Sequence, residues 1–82
     1  MLEVIYEEDF LRKICKIKDN TIREHVKKQI KKIVENPEIG KPMSYDRKGT
    51  RELYVKPFRL SYVFIEHENK IIILDLYHKD EQ

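Results

Sequence analysis

The chain is poor in cysteine, glycine and proline and has no tryptophan: among 82 residues there are one cysteine, two glycines and three prolines. The single cysteine, Cys15, closes no internal disulfide, so packing rather than cross-linking must hold the fold, as suits a reducing compartment. With apolar neighbours Ile14 and Ile17, Cys15 reads as a core or boundary residue rather than a reactive thiol. There is no glycine-rich phosphate loop, no His-Glu-x-x-His motif, and no Ser-His-Asp or Cys-His arrangement. The three histidines, His25, His67 and His78, lie far apart, and no His/Cys pair has ligand spacing, so neither a metal nor a cofactor is expected. His25, on a helix between Ile22 and Val26, reads as a boundary residue beside the apolar stripe, and His67 as a solvated turn residue. The longest apolar runs, Tyr62 to Ile65 and Ile71 to Leu74, are far too short to cross a membrane. The N-terminus lacks the basic start and apolar run of a signal peptide. The expectation is a soluble, cytoplasmic chain with no membrane contact.

What the chain has is charge, unevenly placed. Seventeen basic and fifteen acidic residues nearly cancel, yet residues 11–32 carry nine lysines and arginines against only Asp19 and Glu24. Acids gather instead toward the two ends. Patches of one sign matter more than totals for contact with an anionic backbone.

One domain spanning residues 1–82 is expected at this length. Leu2–Tyr6 is β-prone and reads as a first strand. From Glu7 to Lys18 the period changes: Phe10, Ile14 and Ile17 recur at helical spacing, with acids opening the segment and lysines closing it. Asp19-Asn20 breaks the chain. Thr21 and Glu24 match a capping box, which predicts a second helix running to about Asn36 with Ile22, Val26, Ile30, Ile33 and Val34 on one stripe. Asn36-Pro37 ends it, since proline disfavours helix in the residue before it. Residues 37–50 form a long connection. Arg51–Lys56, Phe58–Glu66 and Lys70–His78 read as three strands, the first two joined by a short Lys56-Pro57 turn. The predicted fold class is α+β, in the order β-α-α-β-β-β, with a two-helix hairpin packed on a small twisted antiparallel sheet.

Strand periodicity assigns faces. Leu53, Val55, Leu60, Tyr62, Phe64, Ile72, Leu74 and Leu76 are expected beneath the helices. The open face then collects Glu52, Tyr54, Lys56, Arg59, Ser61, Asp75, Tyr77 and Lys79. Val63, Ile65, Ile71 and Ile73 fall on that same face and do not suit water, which hints at a protein-binding surface. A cationic, tyrosine-bearing sheet face fits RNA. Cleavage by the 2′-hydroxyl of its own neighbouring phosphate requires a base, a proton donor for the leaving oxygen, and cations for the charge gathering on phosphorus. Arg59 offers a planar fork, Lys56 and Lys79 offer point charges, and Tyr54 or Tyr77 can stack on a base. Ordinary sheet faces carry the same residue types, so alone the pattern does not decide between a binding surface and a solvated one.

The order and spacing of several short segments resemble the RelE/ParE toxin superfamily of type II toxin–antitoxin pairs. They are the strand-helix-helix opening, Asn36-Pro37 with Gly40-Lys41, Arg51-Glu52-Leu53-Tyr54-Val55, Phe58-Arg59 with Tyr62, and a last strand ending in His78-Lys79. Together they cover nearly the whole chain. The resemblance implies a two-helix hairpin on a small sheet and a cognate antitoxin as partner. It also implies one of two targets: ribosome-bound mRNA, cut without a metal, or DNA gyrase, which is inhibited. By position, Arg59 matches a catalytic or phosphate-binding arginine, Lys79 a basic residue that stabilises the cleaving phosphate, and His78 a slot where some relatives use an acid or base. Tyr54 joins these as a candidate for proton transfer or stacking; Lys56, Tyr77 and Arg51 are candidate RNA contacts. Two positions that are lysine in the best-known RelE-like nucleases are Glu52 and Tyr54 here, which leaves the general base unassigned.

Overall fold

The computed structural model describes residues 2–78 and 80. Glu3–Tyr6 (β1) leads through Glu7 into Glu8–Lys16 (α1), whose first turn holds Glu8 and Asp9 and whose last turn holds Lys13 and Lys16. This charge order complements the helix dipole. Phe10 is buried in the core, with Ile14 and Ile17 packed against it. Asn20–Glu35 (α2) follows a break made by Asp19, whose carboxylate accepts the Thr21 N–H at 2.8 Å. The cap is therefore Asp19 and not Thr21: the helix starts two residues earlier than the Thr21-Glu24 box predicts, and an aspartate in that place satisfies a free N–H of the first turn. The Arg23 guanidinium donates to the carbonyls of Ile14 at 2.7 Å and Ile17 at 3.0 Å, tying the end of α1 to the start of α2. Val26 and Ile33 of α2 are buried and Ile22 and Ile30 pack beside them, while Val34, expected on the same stripe, is exposed.

The long connection is not featureless. Lys41–Pro42 (β2) pairs with Arg51–Val55 (β3), and Tyr45–Arg47 forms a 3-10 turn. A two-residue strand containing proline has no readable period, and a sheet edge is where proline is tolerated. Phe58–Ile65 (β4) follows the Lys56-Pro57 turn, and Lys70–His78 (β5) follows a second 3-10 turn. The strands lie in the order β1-β5-β4-β3-β2. The sheet is antiparallel except for β1, which runs parallel to β5. The α+β arrangement is as predicted, but the sheet has one strand more and is mixed rather than wholly antiparallel, because β1 runs parallel to β5.

The face assignment of β5 needs correction. Ser61 pairs with Asp75, but its neighbour Tyr62 pairs with Ile73, so Leu74 is an extra residue in β5. This bulge shifts the alternation by one. Ile71 and Ile73, expected on the open face, are fully buried with Leu60, Tyr62 and Leu76. Ile72 takes the open side opposite Val63. The apolar end of the open face therefore consists of the half-buried Ile5, Val63, Ile65 and Ile72.

Tyr62 joins the core to the connection. Its ring is completely buried. Its hydroxyl donates to the Pro37 carbonyl at 2.7 Å and accepts the Gly40 N–H at 2.8 Å. Burial pushes this phenol's pKa up, outweighing the Gly40 hydrogen bond and Arg51, which pull it down. Position 40 has to be glycine at this approach, because a Cβ there would stand 2.7 Å from the Tyr62 ring.

Candidate functional site

Two cross-strand rows build the polar half of the open face. Tyr54, Arg59 and Tyr77 pair across β3, β4 and β5, and Glu52, Ser61 and Asp75 form the next row. Arg59 thus stands on the middle strand between two tyrosines, with the expected partners brought together by register alone. Its guanidinium lies 5.9 Å from the centre of the Tyr54 ring. Tyr54 is 46% exposed, so the pair presents an aromatic face and a cation side by side.

Glu52 is not on a wet surface as expected: its side chain is 2% exposed. The reason is Arg47, which the 3-10 turn folds back onto the sheet. Arg47 Nη1 donates to Glu52 Oε2 at 3.0 Å and stacks over the Tyr77 ring at 4.7 Å. The Tyr77 hydroxyl donates to the same carboxylate oxygen and accepts from Arg47. Tyr77, expected to offer its ring to RNA, is consequently buried. Desolvation works against the Arg47 cation, but Tyr77 and Glu52 outweigh it and hold its pKa above the usual value. Arg59 is engaged more loosely. Its Nη1 is 3.8 Å from Glu52 Oε1, too far for a hydrogen bond, and its Nε has no hydrogen-bond partner. One buried carboxylate therefore faces two guanidiniums, hydrogen-bonded by Arg47 and only approached by Arg59.

Beside this row lies a cleft of about 360 Å³ lined by Arg47, Thr50, Ser61, Asp75 and Tyr77 from the sheet side and by Lys13 from α1. Because β1 pairs only with the first four residues of β5, α1 packs along the second half of β5, and Lys13 reaches Asp75 at 3.0 Å. The other candidates are placed apart from Arg59. His78 pairs with Phe58 and meets its ring edge-on at 5.7 Å, which puts it on the opposite face from Arg59 and Tyr77. Arg51 also faces away, donating to the carbonyls of Glu38 at 3.0 Å and Gly40 at 2.8 Å. Lys56 is exposed at the hairpin turn. Lys79 lies outside the described residues. Among the described residues no His, Cys, Asp and Glu side chains gather as a metal-ligand set. Arg47 and Lys13 were not legible as site residues. Neither sits in a patterned strand, and only the return of the loop and the short β1 bring them to this face.

Residues 4–82 match the family model of the ParE toxin of the type II toxin–antitoxin system parDE. The chain belongs to that family. This ParE-family chain is thus a toxin of a type II toxin–antitoxin system. No curated protein matches it. Among solved structures, the intact RelBE toxin–antitoxin complex of E. coli aligns with a TM-score of 0.79 at 19% identity, over 95% of this chain and 96% of that chain. The YoeB/ParE toxin from Agrobacterium tumefaciens aligns at 0.84 with 12% identity, over 94% and 98%. The RelBE2 complex from Mycobacterium tuberculosis aligns at 0.80 with 20% identity, over 95% and 98%. At these identities the likeness establishes the fold, two helices on a five-stranded mixed sheet. No helix of the described residues is long and apolar enough to cross a membrane.

Proposed function

We propose that this ParE-family toxin is an endoribonuclease that cuts ribosome-bound mRNA by the 2′-hydroxyl route. The observation that carries the reading is the Tyr54-Arg59 pair, an exposed ring beside a partly exposed guanidinium that stands too far from Glu52 to hydrogen-bond it. A base stacked on Tyr54 sets its phosphate within reach of Arg59, whose planar fork suits phosphate oxygens. Attack by the 2′-oxygen breaks the bond from phosphorus to the 5′-oxygen. The 2′-hydroxyl proton passes to a base, and an acid protonates the leaving 5′-oxygen. One fragment keeps a 2′,3′-cyclic phosphate and the other a 5′-hydroxyl. Arg59 and Lys79 stabilise the charge on phosphorus. Glu52 does not act as the base, because its carboxylate is buried beneath Arg47 and Tyr77. His78 is the candidate proton carrier at the end of the sheet, reached around its edge rather than across its face. A ribosome that presents the message in the reactive geometry supplies much of the rate.

The partner that holds the toxin inactive is a cognate antitoxin, as the solved complexes of the E. coli and M. tuberculosis proteins support. A second reading, inhibition of DNA gyrase, is favoured by the match to the parDE toxin model and by the carboxylate beside Arg59. Primer-extension mapping of mRNA after induced expression separates the two. Codon-aligned breaks support the nuclease. Intact messages with DNA damage overturn it in favour of the gyrase reading.

A further inference from the structure

A second groove, of about 280 Å³, runs between α2 and the end of β3. Lys28 and Lys32 line one wall, one helical turn apart and so on one side of α2. Lys56 and Tyr54 line the other. The lining contains no acid, and His25 adds a further group that becomes cationic on protonation. All three lysines are exposed. Among the described residues none of them has a carboxylate within 4 Å, whereas Lys13, Lys27 and Lys70 do. The cleft on the other side of Arg59 differs, since Asp46 and Asp75 offset its Arg47 and Lys13. The groove walls are fixed in place: Gln29 Nε2 donates to the Tyr54 carbonyl at 2.9 Å, pinning α2 to β3, and the buried Val55 forms part of the lining. Tyr54 belongs to both sites, lining the groove while its ring centre stands 5.9 Å from the Arg59 guanidinium.

We propose that this groove binds the phosphodiester backbone of an RNA segment lying next to the phosphate held at Arg59. The inference rests on the RNA reading above and deepens it. Three unpaired lysines with no acid between them form a track for phosphates, and a tyrosine at one end gives the neighbouring base a surface to stack on. An acidic helix from a protein partner fits less well. Such a helix binds by apolar anchors spaced along one face, and this groove offers only a buried valine and one tyrosine ring.

The test is binding, independent of cutting. The probe is a 2′-O-methyl oligouridine of about a dozen nucleotides, which presents phosphates but no nucleophile. The parent chain and the combined Lys28→Ala, Lys32→Ala, Lys56→Ala variant are titrated by fluorescence anisotropy at several salt concentrations, with melts to show that both are folded. The variant is expected to bind at least about tenfold more weakly and to lose about 2 from the slope of log affinity against log salt, at about 0.7 per phosphate contact. The same pair is measured on purified ribosomes. Loss on the oligonucleotide alone assigns the groove to the message strand, and loss on ribosomes alone assigns it to ribosomal RNA. Unchanged affinity and slope on both overturn the proposal, as does a variant that binds RNA like the parent but no longer binds a glutamate-rich helical peptide. Arg59→Lys separates the two sites. If it cuts mRNA like the parent while the lysine variant loses RNA binding, the groove stands and the Arg59 reading falls.

Discussion

Replacing Tyr62 with phenylalanine tests how the connection is held to the core. The ring stays buried and loses only its hydroxyl, which donates to Pro37 and accepts from Gly40. The Pro37 carbonyl is half-buried and can turn toward water, but Gly40 is buried, so its N–H is left without a partner. A stranded buried donor costs about 1–3 kcal/mol. With the lost bond to Pro37 the variant is expected to lose about 2 kcal/mol, out of a total of about 4–12 kcal/mol for a chain of this length. At about 4–8 °C per kcal/mol the melting temperature falls by about 8–16 °C. Circular dichroism melts at neutral pH measure this directly. The same substitution carries a pH signature. Burial raises the folded-state pKa of Tyr62 above its ordinary value of 10.0. The stability linked to that proton is therefore fully present below pH 10 and is lost as the pH rises through the folded value. The gap between parent and variant should narrow above about pH 10. A melting shift under about 3 °C, or a gap that widens in alkali, refutes the reasoning.

Further substitutions test the other assignments. Ile73→Asp should unfold the chain, because an unpaired buried charge costs several kcal/mol, while Ile72→Asp should leave a cooperative melt; the reverse result removes the bulge. Glu52→Gln should lower stability by about 1–2 kcal/mol, less than breaking a fully buried pair, because Arg47 and Arg59 are 43% and 35% exposed and water can solvate them. The same change should tighten oligouridine binding by freeing Arg59, and weaker binding counts against the site. Arg59→Lys should keep the fold and cut mRNA at least about tenfold more slowly, since the charge remains but the fork is gone; toxicity equal to the parent's in a growth assay removes Arg59 from the site. Arg59→Glu is a poorer probe, because it sets a second carboxylate against buried Glu52 and a folding defect would imitate loss of function.

Much of the fold was legible because the chain changes period cleanly. Phe10, Ile14 and Ile17 mark α1, Ile22 to Ile33 mark α2, and the strands on either side of Lys56-Pro57 alternate well enough to place Leu60 and Arg59 on opposite faces. The errors fall where local contrast disappears. Ile71 to Leu74 is uniformly apolar, so nothing in it reveals which residue is the extra one, and the expected faces of Ile71, Ile72 and Ile73 were reversed. At the start of α2, Asp19 and Thr21 are both good caps, and only the observed hydrogen bond chooses between them. The burial of Glu52 depends on Arg47, which arrives from a turn with no periodic signal. The Tyr54-Arg59-Tyr77 row could be read from alternation, but the division of labour between Arg47 and Arg59 could not, since it depends on which guanidinium reaches the carboxylate first.

The bulge at Leu74 also separates two properties that a regular strand would couple. Removing Leu74 leaves Ile71, Ile73 and Leu76 on the core side and Asp75 and Tyr77 on the open side, because the deletion restores plain alternation. Every side chain would keep its face, yet the extra twist that a bulge imposes would be gone. In this sheet the residues on each face are set by the sequence of β5, while the angle between its apolar half and its Arg59 half is set by a single inserted leucine. A one-residue deletion there would re-aim the whole polar row without changing its composition, which makes Leu74 a steering position for the Arg59 half of the sheet.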